Sequence, residues 1–241
     1  MISIVVPTYN EEKNIERCLV ALTNQTIPRD QMEIIIVDGN SIDHTREKAA
    51  EYADVVITQT SEGVGGARND GFKVASHEIV ATTDADCEPH PNWVESILRK
   101  FDEDTVAVTG ILKPFDWRDM NWLNILVYRA IFEASNMMLM IMALFGQYHL
   151  CGANSAFKKR TFLDIGGYKP LAYADDVEIF KRIKNRGNVK LNGAMQINYS
   201  VRRIKKIGLM KYFYIILKMN TEIMVLGKQP MKGSYARTNY D

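Results

Sequence analysis

Two carboxylates, one residue apart, follow a short apolar run in the stretch "IVATTDADCEP" (79–89). Asp84 and Asp86 come directly after the run, and the chain then turns at Pro89. An extended chain that breaks into a turn brings two such carboxylates close to one point, and hard oxygen ligands suit Mg²⁺ or Mn²⁺. The pattern therefore predicts that this pair holds a divalent cation and that the cation holds a diphosphate. A motif this short also occurs by chance, so its position after a predicted strand is what favours the interpretation.

Two other predicted strands also end on polar residues. The run "ISIVV" (2–6) leads into "PTYNE" (7–11), and "EIIIVDG" (33–39) ends at Asp38. Ligands of a parallel sheet bind beyond the carboxyl ends of its strands. Any one of these ends alone would be better explained as an Asx turn, but three on one edge favour a pocket.

The glycine-rich stretch "EGVGGARNDG" (62–71) opens a predicted helix. Backbone N–H groups at a helix start and the guanidinium of Arg68 together make a good anion site. Arg68 stands where a dinucleotide fingerprint counted from Gly63 requires its last glycine, and the sequence contains no P-loop motif. A flexible turn with Arg68 in solvent remains the alternative.

Strand-like and helix-like segments alternate through the first half of the chain, which predicts an α/β fold with a mostly parallel central sheet flanked by helices. We expect the first helix from about Glu11 with Asn10 as its N-cap, and a second capped near Ser41. Residues 117–149 read as a long Met-rich helical region. The remaining predicted strands cover residues 55–58, 78–83, 106–110 and 197–201.

Composition limits the possible classes of protein. The 241 residues, 46% of them hydrophobic, suffice for one large domain or two small ones. Three widely spaced cysteines argue against a disulfide framework or a zinc site. The formal net charge is +1, yet residues 181–241 carry 14 Lys/Arg and two acids, which leaves residues 1–180 at −11. A basic end on an acidic body predicts an anionic partner, although a solvated basic face fits equally well.

Taken together, the motifs resemble the family 2 glycosyltransferases, which are inverting enzymes with a nucleotide-binding GT-A fold. The resemblance runs from "VVPTYNEEKNIERCL" through "EIIIVDGNSIDHT" and "GARNDGFKVASHEIVATTDADCEP" to "GANSAFKKRTFLDIGGYKPLAYADDVEIFKRIKNRG". It implies a glycosyltransferase domain at 1–203, with a nucleotide-sugar-binding half (1–110) and an acceptor-binding, catalytic half (111–203). Residues 204–241 then form a basic amphipathic segment.

The resemblance also implies roles for individual residues. Asp86 would be the direct ligand of Mg²⁺ or Mn²⁺, and Asp84 would lie near the metal and the ribose. Asn154, Asp175, Arg202 and Arg203 would face the acceptor or the diphosphate. The residues implied to bind the nucleotide are Pro7, Thr8, Tyr9, Glu11, Asp38, Arg68, Asp84 and Ala85.

Asp176 is the candidate catalytic base, since it stands in the second place of the family's acidic pair while Asp175 replaces the more usual glutamate. An inverting transfer to a hydroxyl needs a group to take the proton. Asp175 and Glu178 share a helix face, so the assignment could move by one residue. Without the family pattern, two aspartates that favour a helix N-terminus would explain the pair. The motif of processive polymerases is absent, which favours single-sugar transfer.

The leading hypothesis is therefore a metal-dependent transferase that moves one sugar from a UDP- or GDP-linked donor to a hydroxyl, on a saccharide or a lipid-linked saccharide. A polyprenyl-phosphate glycosyl synthase, a nucleotidyltransferase and a non-catalytic nucleotide-sugar-binding module remain alternatives. We expect no nucleic-acid partner.

Residues 131–145 and 204–226 are unusually apolar, and the second segment has basic residues around it. This combination predicts peripheral contact with an anionic membrane surface, although core packing would explain the apolar residues as well. The first residues lack the pattern of a signal peptide, so we expect a cytoplasmic protein at the inner face of the membrane.

Overall fold

The computed structural model describes residues 1–117, 120–144, 146, 150–171, 175–208, 211 and 214, without the side chains of Met142 and Arg203. The strands are β1 (Ile2–Thr8), β2 (Met32–Asp38), β3 (Val55–Thr58), β4 (Ile79–Thr82), β5 (Cys87–Pro89), β6 (Thr105–Phe115), β7 (Ser155–Lys158) and β8 (Asn188–Ser200). The helices are α1 (Ile15–Thr23), α2 (Thr45–Ala50), α3 (Gly63–Val74), α4 (Trp93–Leu98), α5 (Trp122–Leu144), α6 (Lys159–Asp164), α7 (Asp175–Ile183) and α8 (Arg202–Ile207). A short 3-10 turn, Arg29–Gln31, precedes β2.

These strands form one sheet in the order β3-β2-β1-β4-β7-β6-β8-β5. The first four are parallel, as the strand–helix alternation predicts. The strand β7 runs antiparallel to both β4 and β6, whereas β6 and β8 are parallel to each other. The α/β prediction is therefore confirmed, but the sheet is mixed in its second half.

The hydrophobic core lies on both faces of the sheet. Alternation along β1 directs Ile4 and Val6 to one face and Val5 to the other. The first face is covered by α1 and α4 through residues such as Leu19 and Trp93. The opposite face is covered by α3, α6 and α7. Helices on both sides explain why β2 is an almost continuous apolar run.

Two predicted helix starts are wrong. The first helix begins at Ile15, with Asn14 at the N-cap position, and Asn10 has a left-handed φ of 53°. Asn10 instead accepts the N–H of Ile42 through its side chain, so it joins the β1 and β2 loops. The second helix begins at Thr45 rather than near Ser41, because the Ser41 hydroxyl is bonded to Asp38.

The later strands extend further than the sequence predicts. The predicted strands at 106–110 and 197–201 are parts of the longer β6 and β8. The long helical region is confirmed as α5, which has 23 residues. Of the apolar segment 204–226, only 204–208, 211 and 214 lie among the described residues. In the part of the chain that the structure describes, no helix is both long enough and apolar enough to cross a membrane.

Candidate active site

The ends of β1 and β2 are joined through Asp38, a buried carboxylate. Thr8 and Asp38 are register partners, and Thr8 Oγ1 donates to Asp38 Oδ1 at 3.3 Å. Ser41 donates its hydroxyl to Oδ1 at 2.6 Å and its N–H to Oδ2 at 3.1 Å. Pro7 lies in β1 and Tyr9 follows it, both partly exposed at this edge. The arrangement fixes the loop beyond β2 against β1.

Arg68 lies between two carboxylates that are 91 positions apart in the sequence. Its Nη2 is 2.7 Å from Asp84 Oδ1, and its Nη1 is 3.7 Å from Asp175 Oδ2. The Arg68 side chain is almost fully buried, and its guanidinium lies 5.6 Å from the centre of the Tyr168 ring. The alternative of a solvent-exposed Arg68 is therefore wrong. A Cβ on Gly152 would come within 2.8 Å of Arg68 Nη1, so a glycine there leaves room for the guanidinium.

Arg202 makes a second bridge of the same kind. Its Nε donates to Asp86 Oδ2 at 2.9 Å, and its Nη2 forms an ion pair with Glu11 Oε1. Glu11 follows β1 and Arg202 begins α8, so this bridge ties α8 to the carboxyl end of the sheet. The three carboxylates of Glu11, Asp84 and Asp86 lie close enough to interact electrostatically.

Asp86 and Asp175, the carboxyls beside Arg202 and Arg68, have raised pKa values. Burial raises the pKa of Asp86 to about 6; Arg202 opposes this shift, while Asp84 and Glu11 add to it. Burial also raises the pKa of Asp175 to about 6, with Arg68 lowering it and Asp176 raising it. Strongly perturbed carboxyls gathered in one place are a feature of functional sites, although structural ion-pair networks produce them too.

The donor set at Asp84 and Asp86 is compatible with a hard divalent cation. Within the described ranges, no group of three or more metal-ligating side chains is assembled. Two carboxylates fit an Mg²⁺ or Mn²⁺ site in which waters and substrate phosphate oxygens complete the coordination. Asp84 and Glu11 add to the rise in the Asp86 pKa that burial causes, and a cation bound there would favour the ionised carboxylate.

Asp175 and Asp176 are the first two residues of α7. Asp176 Oδ1 accepts the N–H of Val177 at 2.8 Å, a contact within the first turn of the helix. Three polar atoms around Asp175 are buried and have no hydrogen-bond partner among the described residues: Asp175 Oδ2, Arg68 Nε and the Tyr168 hydroxyl. A buried polar atom without a hydrogen bond calls for an explanation, and a bound water, ion or ligand is one.

Asn154 is fully buried, and its side chain is committed to the core. Its Oδ1 accepts the Trp93 indole N–H at 2.8 Å, and its Nδ2 donates to the carbonyls of Ile111 and Met195, each at 3.0 Å. The expectation that the Asn154 side chain faces the acceptor is therefore wrong, because no donor or acceptor of the amide is left exposed to a sugar.

Two further predicted residues differ from their expected setting. The Ala85 side chain is buried in the core, so only its backbone could face a nucleotide. The prediction for Arg203 concerns a side chain outside the described residues. Two neighbours of the site were not predicted: Ser41, which bonds Asp38, and Tyr168, which stacks beside Arg68. The turn "GGY" before α7 is the signal that could have pointed to Tyr168.

A family described as glycosyl transferase family 2 matches residues 3–166, which is more than half of the chain. The chain belongs to this family. Glycosyltransferase AglE of Haloferax volcanii is 38% identical over 116 residues, a stretch that covers 46% of this chain and 36% of AglE. The chain therefore spans about a third of that relative's length.

Two solved structures of similar architecture show that the family 2 chain has the GT-A fold. TarS of S. aureus, residues 1–349 in complex with UDP-GlcNAc, gives a TM-score of 0.63 at 19% identity over 83% of this chain and 58% of TarS. The mannosyltransferase PcManGT of Pyrobaculum calidifontis, in complex with GDP-Man and Mn²⁺, gives 0.62 at 23% identity over 90% of this chain and 64% of PcManGT.

Proposed function

We propose that the chain is an inverting, metal-dependent glycosyltransferase that moves one sugar from a nucleotide diphosphate donor to a hydroxyl acceptor. The observation that carries the proposal is the row of carboxylates and arginines from Glu11 through Arg202, Asp86, Asp84 and Arg68 to Asp175. This row lies at the carboxyl ends of β1 and β4, where parallel sheets bind their ligands.

Residues of the first half, 1–110, would bind the nucleotide. Pro7, Thr8 and Tyr9 together with Asp38 lie at one edge and would line the pocket of the base and ribose. Glu11, Arg68, Asp84 and the backbone of Ala85 lie further along the same edge. TarS was solved with UDP-GlcNAc and PcManGT with GDP-Man and Mn²⁺, and these donors support a UDP- or GDP-linked sugar here.

Asp84 and Asp86 would hold Mg²⁺ or Mn²⁺ together with the diphosphate of the donor. When bound, such a cation neutralises the negative charge that develops on the leaving diphosphate. The guanidinium of Arg202 lies against Asp86 and could turn toward the diphosphate, and Arg203 follows it in sequence. Arg68 holds Asp84 in place from the opposite side.

The second half of the domain, residues 111–203, would bind the acceptor and carry the catalytic base, Asp176. The acceptor oxygen attacks the anomeric carbon, the bond from that carbon to the diphosphate breaks, and Asp176 takes the hydroxyl proton. Asp175, fixed by Arg68, would orient the first turn of α7 and so position Asp176. The reaction inverts the anomeric centre and releases a nucleoside diphosphate.

The acceptor we propose is a lipid-linked saccharide. The protein would bind it while associated peripherally with the inner face of the membrane. The support is the four basic residues of α8, Arg202, Arg203, Lys205 and Lys206, since this helix begins in the site. A polyprenyl-phosphate acceptor is the second candidate, and the same observation favours it. Such a phosphate is already ionised, so its glycosylation needs no general base.

The test is the release of nucleoside diphosphate from UDP- and GDP-sugars in the presence of Mn²⁺, with saccharide, lipid-linked saccharide and polyprenyl phosphate as acceptors. With a hydroxyl acceptor, Asp176→Asn should lower kcat by about 10²- to 10⁴-fold, since that is the usual contribution of a general base. The control is donor affinity, which should stay within about twofold because Asp176 does not contact the donor phosphates in this proposal. An unchanged kcat with a phosphate acceptor would favour the second candidate. Release of pyrophosphate would contradict both.

A further inference from the structure

The helix α5 presents an apolar face to the outside. Among the described residues, nine of the sixteen exposed large apolar side chains lie on this single helix. They are Trp122, Leu123, Leu126, Val127, Met137, Met138, Met140, Ile141 and Leu144. Concentration on one element distinguishes this face from the scattered apolar residues that every protein surface carries. We call these nine residues the α5 face.

The opposite side of α5 fastens the helix to the domain. Tyr128 and Asn136 are buried, and the Asn136 side chain donates to the Leu112 carbonyl at 2.8 Å. Phe132 packs in a small cluster with Tyr128 and Ile204 of α8. The inner side of the helix is therefore held by the domain. The α5 face lies on the opposite side, toward solvent.

Basic residues border the α5 face at both ends. Arg129 is exposed on the helix itself, and α8, which packs on its first half, carries Lys205 and Lys206. At the other end, Lys100 and Lys190 line a groove together with Met140 and Leu144, and Lys190 is paired with Asp102. The one acidic residue of α5, Glu133, is paired with Lys113. An apolar helix face with cations around it matches the chemistry of an anionic lipid surface, where acyl chains lie beneath negative headgroups.

We propose that α5 lies in the headgroup layer of an anionic bilayer, with the α5 face toward the acyl chains and the basic border among the headgroups. At 23 residues the helix is about 34 Å long, enough to lie along a surface. A second copy of the chain would place the basic borders of two α5 faces near each other, which like-charge repulsion disfavours.

This surface adjoins the candidate active site. The helix α8 begins at Arg202, which contacts Asp86 and Glu11, and continues to Ile204, which packs on α5. A bilayer at α5 would thus hold a lipid-anchored acceptor near the carboxylates of Asp86 and Glu11. This consequence, like the peripheral association that it refines, rests on the proposed function, but vesicle binding can be measured without glycosyl transfer.

Co-sedimentation of the full chain with phosphatidylglycerol vesicles tests the proposal. Met137→Glu/Ile141→Glu changes two residues of the α5 face that are 61% and 45% exposed. The matched control, Val74→Glu/Leu163→Glu, changes two apolar residues that are 45% and 40% exposed and lie on α3 and α6. Two negative charges added to the α5 face should weaken vesicle binding at least about tenfold, while the control variant binds like the wild type.

Tryptophan fluorescence gives a second readout that requires no loss of binding. Trp122 is 75% exposed, whereas Trp93 is fully buried. The third tryptophan, Trp117, is partly buried in the cluster with Tyr128. Anionic vesicles should shift the emission to shorter wavelength, and Trp122→Phe should remove most of that shift. Phosphatidylcholine vesicles or high salt should reduce the binding, because the basic border then loses its partners or is screened.

Several results would overturn the proposal. One is a wild-type chain that does not bind anionic vesicles, and another is equal binding by the α5 and control variants, which would place the contact elsewhere. A dimer that Met137→Glu/Ile141→Glu dissociates, without vesicle binding, would assign the face to a second copy. A lower Tm of this variant, without vesicle binding, would mean that the α5 face is the docking surface of residues 209–241. Transfer of the sugar to a soluble acceptor, with release of the nucleoside diphosphate, is measured separately, so loss of transfer activity alone would leave the vesicle result standing.

Discussion

At the scale of residues, two arginines organise the candidate site. Arg68 bridges Asp84 and Asp175, and Arg202 bridges Asp86 and Glu11. Buried charges are tolerated when each has a partner, and removing one partner costs far more than the pair itself contributes. The guanidinium groups of Arg68 and Arg202 therefore allow four carboxylates to lie close together at one edge of the sheet.

Arg68→Ala should destabilise the fold strongly. The substitution leaves Asp84 and Asp175 without their cation in a largely buried setting, so we expect the free energy of unfolding to fall by about 3–5 kcal/mol. Arg99→Ala is the matched control, because it removes an exposed i,i+4 partner of Glu95 and should cost less than about 0.5 kcal/mol. Urea denaturation of both variants measures the difference. Similar losses for the two would mean that Arg68 does not hold the site together.

Asp70 gives stability a pH dependence. Burial opposes its ionisation, but bonds from the backbone and hydroxyls of Ser61 and Thr60 hold its pKa well below the ordinary value of 3.8. A lowered folded-state pKa contributes stability that is complete above the unfolded pKa and is lost as the pH falls. At neutral pH, Asp70→Asn should cost about 2 kcal/mol.

The cost of Asp70→Asn should shrink as the pH falls below about 4, because Asp70 of the unfolded chain then takes up its proton while the folded carboxylate stays ionised, and the wild type loses this stability. Thermal unfolding of wild type and variant across that range, with the exposed Asp164→Asn as control, measures the trend. A cost that is constant over the whole range would contradict the assignment of the stabilisation to the ionised carboxylate.

At the scale of elements, the glycines of α3 set how closely this helix approaches the sheet. A Cβ on Gly71 would lie 2.4 Å from Val5 Cγ1 and 3.0 Å from Val37 Cγ2, so the helix backbone packs directly on β1 and β2. Arg68 lies one turn earlier in α3. The close contact brings its guanidinium within hydrogen-bond distance of Asp84, beyond the carboxyl end of β4.

Gly71→Ala should therefore destabilise the protein although alanine is the better helix former. Forcing a methyl group into this contact typically costs about 1–3 kcal/mol, more than the gain in helix propensity. Gly193→Ala in β8 is the control, since its Cβ would meet only Met140 at 3.6 Å or more, an ordinary contact. Guanidinium melts of the two variants should differ by at least about 1 kcal/mol. A stabilised Gly71→Ala would show that α3 stands further from the sheet.

The elements also separate what the sequence predicts from what it leaves open. The parallel strands β1 to β4 are predicted because each is an apolar run and the first three are followed by helix patterns. The strand β7 is only four residues long and antiparallel, and its place between β4 and β6 comes from long-range pairing that no local pattern records. The starts of α1 and α2 differ from the prediction because Asn10 and Ser41, both good N-caps, are engaged in contacts between loops.

At the scale of the whole molecule, the site joins segments from nearly the full length of the described chain. The carboxylates at the strand ends could be predicted from local patterns, because parallel strands present their carboxyl ends at one edge. The partners Arg202 and Asp175 were placed in the site only by the family resemblance, and their pairing with Glu11, Asp86 and Arg68 comes from the tertiary fold. The burial of Asn154 had no local signal, since an asparagine before a strand is ordinarily exposed.

The most direct test of the central claim is nucleotide-dependent thermal stabilisation, measured with and without Mn²⁺ on the wild type and Asp86→Asn. UDP, GDP and their common sugar conjugates form the panel. One nucleotide should raise the Tm of the wild type in the presence of Mn²⁺, since a ligand at a hundred times its Kd stabilises by about 2.7 kcal/mol. Without Mn²⁺, or with Asp86→Asn, that gain should largely disappear. Stabilisation by no nucleotide, or an equal gain in Asp86→Asn, would contradict a metal-dependent nucleotide-sugar site at these strand ends.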